Sequence, residues 1–150
     1  MKKLYILLIC ALFMGLSSYA QPNRGQQQER IKALKIAHIT NALGLTPEEA
    51  QQFWPLYNAY EEKVENIRKT ERTEGRKAMS GGFDAMTDAQ ANALLDKFMA
   101  LKQQEIDLNK DFVNSLKGVI SSKKILKLNR AEEGFKRRLL DEIRNRRKKN

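Results

Sequence analysis

Beyond the first twenty residues, apolar side chains recur every three or four positions, and no stretch sustains a two-residue alternation. That period predicts helices and no sheet. A first helix over residues 29–43 carries Ile31, Leu34, Ile36, Ala37, Ile39 and Leu43, with Gly44 as its natural stop. Its apolar positions spread over more than one stripe, as in a helix wedged between partners. The second helix carries Phe53, Tyr57, Tyr60, Val64 and Ile67 at coiled-coil-like spacing, widened by Trp54 and Leu56. Pro55 lies inside it and predicts a kink. Residues 68–77 hold no apolar side chain, so a helix there is solvated all round and marginal, with Gly75 a weak point. Residues 80–84 read as a tip. A third helix follows with a seam of Leu94, Phe98, Leu101, Leu108, Phe112, Leu116 and Val119, in which Glu105 takes one position. Gly118 and the Ser121-Ser122 pair divide it from a fourth helix carrying Ile125, Leu128, Phe135, Leu139 and Ile143.

Helices two and three, at about 30 residues each, reach roughly 45 Å. Seams of that length are not buried by single helices, and the short loop between them makes them antiparallel neighbours. The expected fold class is all-α: about four helices, a long antiparallel hairpin with two flanking helices. Such a thin hairpin has little central core, which predicts a homodimer that buries the rest.

The first twenty residues follow another logic. Lys2 and Lys3 precede an apolar run over residues 4–16, and Ser18-Tyr19-Ala20 offers small residues before Gln21. This is the order of a secretory signal. The run of about 13 residues is shorter than the roughly 20 a membrane span needs. Cys10, the only cysteine, sits mid-run rather than after small residues at its end, unlike a lipid-attachment site. The expected division is a signal peptide over 1–20, a disordered lead-in over 21–28, a helical domain over 29–143 and a frayed basic tail over 144–150.

Cleavage near Ala20 removes the only thiol, which excludes disulfides and cysteine chemistry from the mature chain. It also leaves 26 basic against 18 acidic side chains, a net charge of +8. In an exported protein that charge points away from nucleic acid, towards an anionic membrane surface or acidic and unfolded proteins of the envelope. The expected location is the periplasm.

Two helix starts share one chemistry. Thr46-Pro47-Glu48-Glu49 and Thr87-Asp88-Ala89-Gln90 are capping boxes, each preceded by an apolar anchor, Leu45 or Met86. The repeated Leu-Thr-x-x-Gln-like pattern in a small exported helical protein resembles the Spy/CpxP family of periplasmic proteins, the LTxxQ family. Glu49 stands where the pattern has Gln, and Met86 where it has Leu; both departures keep the capping chemistry. The stretch from Leu45 through Phe53-Trp54-Pro55-Leu56-Tyr57, and the stretch from Ala131 through Phe135 to Leu140, are similar to a Bacteroidetes-type branch often labelled sensor of ECF-type sigma factor. The resemblance covers nearly the whole mature chain and implies a cradle-like helical dimer. It implies an ATP-independent holdase chaperone that captures unfolding clients on a basic and apolar surface. The alternative it implies is an envelope stress signalling partner that binds a membrane sensor or anti-sigma factor. Some relatives bind metal ions.

The residues add their own constraints. His38 is the only histidine, too few soft ligands for a dedicated zinc, nickel or copper site, and it reads as a packed or hydrogen-bonded side chain. No cofactor is expected. The paired acids, such as Glu61-Glu62, point to different sides of a helix and do not converge, so no catalytic role is expected. Trp54, Tyr57 and Tyr60 read first as core against the first helix and second as an apolar patch for a client. The basic candidates for a client or partner surface are Arg68, Arg72, Arg76, Arg137, Arg138, Arg144, Arg146 and Arg147. The dense run over 144–149 also suits peripheral contact with anionic lipid.

Overall fold

The computed structural model describes residues 24–149; the expected signal peptide and the start of the lead-in lie outside them. Among the described residues there are four α-helices, one short 3₁₀ turn and no strand. These are α1 (Arg24–Leu43), α2 (Pro47–Ser80), η1 (Phe83–Ala85), α3 (Asp88–Leu116) and α4 (Ser122–Lys149). The all-α expectation of about four helices is met. None of the described helices is long and apolar enough to cross a membrane.

The chain divides into two compact units, Met1–Ala37 and His38–Asn150. In the first, the described residues form the opening turns of α1, and most of their side chains are exposed. Residues 24–28, expected to be unstructured, are helical. Glutamines are good helix formers, and extending a helix past a formed turn is far cheaper than nucleating one.

The second unit is organised by its turns. At the end of α1 the Gly44 N–H donates to the Asn41 carbonyl at 3.2 Å, and the Leu45 N–H donates to the Thr40 carbonyl at 3.1 Å. This six-to-one, five-to-two pairing requires a left-handed residue, and Gly44 has φ +61°. Both capping boxes form. The Glu49 N–H donates to Thr46 Oγ1 at 3.2 Å, and the Thr46 N–H donates back to Glu49 Oε2 at 2.8 Å. The Thr87–Gln90 box closes likewise, at 3.3 and 2.9 Å. Helix α2 continues through Pro55, and through the apolar-free stretch around Gly75, to Ser80.

Helices α2 and α3 form the antiparallel hairpin, and the cross-helix pairs record its register. Tyr60 meets Asn109, Arg68 meets Glu105, Glu71 meets Lys102, and Glu74 meets Lys97, the α3 number falling as the α2 number rises. Glu105, an acid at a seam position, is thereby placed between Arg68 and Lys102. A charged seam residue fixes register at some cost in burial.

The core lies at the base of the hairpin. It comprises Ile39 and Leu43 of α1, Phe53 and Tyr57 of α2, Phe112 and Leu116 of α3, Ile120, and Leu128 and Ala131 of α4. Rings make its interior: Phe53 and Tyr57 stack at 5.5 Å, and Tyr60 lies flat on Phe112 at 4.2 Å. Further out, Val64 and Ile67 are the other buried apolar residues of the described hairpin. Ser121 Oγ accepts the Lys124 N–H as α4 starts. The basic end of α4, expected to fray, remains helical to Lys149; Arg and Lys favour helix, and Arg146 bridges to Glu142 one turn back.

Candidate functional site

Outside the core, two regions carry features that packing does not use. The first is the distal hairpin. Met79, Phe83, Leu95, Met99 and Ile106 are exposed there, Met99 by 70% and Phe83 by 64%. Leu95, Met99 and Ile106 fall at spacings of four and seven on α3, so they form one apolar stripe. Two open grooves flank the same helices. One of about 550 Å³ lies at the tip over Ala78, Met86 and Leu94, and one of about 450 Å³ runs over Ile67, Leu101 and Leu108.

Charge surrounds these apolar positions, mostly in pairs. Glu74 accepts from Lys97 and Lys77 at 2.8 and 3.3 Å, and these bonds, Lys97's first, hold its carboxyl below the usual carboxylate range. Lys102 donates to Glu71 and Glu105, which raises its ammonium above the ordinary lysine value. Of the basic candidates here, Arg68 pairs with Glu105 and Arg72 with Glu65; Arg76 is exposed.

The second region is a groove of about 580 Å³ between the end of α1 and the middle of α4. His38 is its anchor. Its Nε2 lies 3.0 Å from the Ala131 carbonyl, an arrangement in which Nε2–H donates; Nδ1 then accepts from Arg138 Nη1 at 3.3 Å. The ring also lies 5.8 Å from that of Phe135. The ring packs close to Gly134, where a Cβ would stand 3.4 Å from His38 Nε2, in van der Waals contact. Lys127, Arg130, Arg137 and Arg138 rim the groove, Ala42, Ala131 and Gly134 line it, and Asp141 closes one end. A smaller groove of about 420 Å³ shares Arg138 and Asp141 and extends to Arg146.

The basic candidates therefore fall into two sets. Arg68, Arg72 and Arg76 lie on the hairpin, while Arg137, Arg138, Arg144, Arg146 and Arg147 lie on α4. Lys127 and Arg130 complete the second set and were missed by the sequence reading. Their signal was a spacing of three residues between them and of seven from Arg130 to Arg137, which puts them on one helix face.

Of the aromatic candidates, Trp54 is half-buried on the core and Tyr57 is 2% exposed, so Tyr57 belongs to the interior and offers no surface. Its hydroxyl donates to Glu132 Oε1 at 2.6 Å. Burial first, then the Glu132 carboxylate, push that phenol far above its ordinary value. The motif residues Leu45, Thr46, Glu49, Met86, Thr87 and Gln90 act as helix starts. Glu49 does more, accepting from Lys124 Nζ at 2.5 Å while Lys124 also donates to the Gly44 carbonyl at 2.7 Å. The Lys124 bond, then the Thr46 amide, hold the Glu49 carboxyl below its usual range. Among the described residues no group of three or more His, Cys, Asp or Glu side chains converges to hold a metal ion.

No protein-family model, curated protein or solved structure matches this chain.

Proposed function

We propose that the protein is an exported, ATP-independent holdase that captures unfolding envelope proteins on the distal part of its α2–α3 hairpin. The observation that carries this reading is the exposure of Met79, Phe83, Leu95, Met99 and Ile106 on a segment whose own packing does not need them. Apolar side chains left in water close together, as Leu95, Met99 and Ile106 are on one stripe of α3, mark a surface for other proteins. Methionine suits a surface that must fit many partners, because its unbranched thioether chain adapts to irregular shapes. The net positive charge draws acidic segments in over long range, and the apolar stripe then holds them weakly. No bond is made or broken, so the reading is non-catalytic. The export leader supplies the location outside the cytoplasm.

The test is light scattering from a client diluted out of denaturant, with purified mature protein and no nucleotide. The expected result is suppressed aggregation that weakens as salt is added. Unchanged aggregation at a several-fold molar excess contradicts the proposal. Pull-down from envelope extract separates the signalling alternative: heterogeneous clients fit the holdase, and one stoichiometric membrane protein fits a sensor partner.

A further inference from the structure

We propose that the groove between α1 and α4 is a binding site for a phosphate-bearing polyanion. It is separate from the distal hairpin, and neither reading depends on the other.

Four cations, Lys127, Arg130, Arg137 and Arg138, rim this groove against one acid, Asp141. They recur along one strip of α4 that spans roughly 17 Å at the helical rise per residue. Along the hairpin, five cations, Arg68, Arg72, Lys77, Lys97 and Lys102, each pair with a glutamate, while Lys63, Lys69, Arg76 and Lys110, spread over its two helices, do not among the described residues. Around the groove, Lys127, Arg130 and Arg137 pair with no acid among the described residues. Four cations against the single acid of the groove leave an excess of positive charge there, which a bound anion would offset.

The chemistry of the rim selects the anion. Three of the four cations are arginines, whose planar forks match phosphate oxygens two at a time. Arg138 is already oriented, because one of its five donors is spent on His38 Nδ1 and the others remain for a ligand. The length of the strip suits several phosphates in a row better than one. An acidic peptide fits less well. Ala42, Ala131 and Gly134 line the groove within helices, whose main-chain groups are already bonded to one another, so a peptide's amides would find no partners there. A chain of phosphates needs none.

The test uses the mature protein, with inorganic tripolyphosphate as probe in isothermal titration. Tripolyphosphate is expected to bind one per chain. The double variant Arg130→Ala/Arg137→Ala removes two exposed side chains, with far-UV dichroism verifying its fold, and is expected to weaken binding at least about tenfold, the loss of one charge-assisted hydrogen bond or more. The control Lys69→Ala/Lys110→Ala, which removes equal charge from the hairpin, is expected to shift affinity less than about twofold, since charges beyond a Debye length are screened. Phosphatidylcholine vesicles with and without phosphatidylglycerol identify the source. Arg130- and Arg137-dependent binding to the anionic vesicles alone assigns the site to lipid phosphate, and the same dependence for tripolyphosphate alone assigns it to a free polyanion. Equal weakening in both double variants, binding of neither probe, or equally tight binding of a hexaglutamate peptide through Arg130 and Arg137 would overturn the proposal.

Discussion

At its base the α2–α3 hairpin buries Phe53, Tyr57, Phe112 and Leu116 against Ile39, Leu43, Leu128 and Ala131. Towards its tip the same two helices leave Met79, Leu95, Met99 and Ile106 in water and are held by ion pairs such as Glu74–Lys97 and Arg68–Glu105. The contrast teaches that one pair of helices can divide its work. The base provides stability through buried rings. The tip exposes its apolar side chains and is held by ion pairs whose loss costs the fold little, because exposed ion pairs contribute only about 0–1 kcal/mol each.

Substitutions that compare the two ends should separate most in the core. Phe53→Ala removes a fully buried ring and is expected to cost about 3–5 kcal/mol in a denaturant titration. Met99→Ala, at an exposed position, is expected to stay within about 0.5 kcal/mol. Comparable losses at both positions would dissolve the distinction between base and tip.

Tyr57→Phe probes the polar part of the base. It deletes the donor to Glu132 while keeping the ring, and the expected loss is about 1.5–3 kcal/mol, the range for hydrogen bonds to charged groups. A neutral result would mean that the bond is not worth its burial. Thr46→Ala and Thr87→Ala compare the two boxes, and each is expected to cost about 1 kcal/mol of helix start.

The smallest expected effect is that of pH. Glu49 and Glu74 sit below the ordinary carboxylate range when folded. Their contribution is complete above the unfolded value of about 4.3 and is lost as pH falls through their lower folded values. Lys102, raised when folded, contributes below the ordinary lysine value, and that contribution disappears as pH rises through its higher folded value. Stability is therefore expected to be flat near neutrality and to decline towards acid. Glu49→Gln should make the acid decline shallower at the base, and Glu74→Gln at the tip.

Much of this contrast was legible in the sequence. Local signals were read correctly where the chemistry is local: Gly44 ends α1, Thr46 and Thr87 open α2 and α3, and residues 80–84 make the tip. Glu105 was legible as an acid at a seam position, but its pairing with Arg68 and Lys102 required the folded hairpin. Helix lengths were underestimated at both ends, at 24–28 and 144–149, because polar segments carry no apolar period to reveal them. The long-range contacts were not legible. Tyr57 with Glu132, Lys124 with Glu49, and His38 with Ala131 join residues at least 75 positions apart, and no spacing rule reaches that far. For the same reason the groove was half seen, with Arg137 and Arg138 noticed and Lys127 and Arg130 not.

The most direct measurement places a photoreactive side chain at Met99 on the distal hairpin, and separately at Lys117 beyond the base end of α3, then adds an unfolding client and light. The proposed function predicts client adducts at position 99 that fall with added salt, and few at position 117. Equal labelling at both positions, or adducts at position 117 alone, would contradict the assignment of client capture to the distal hairpin.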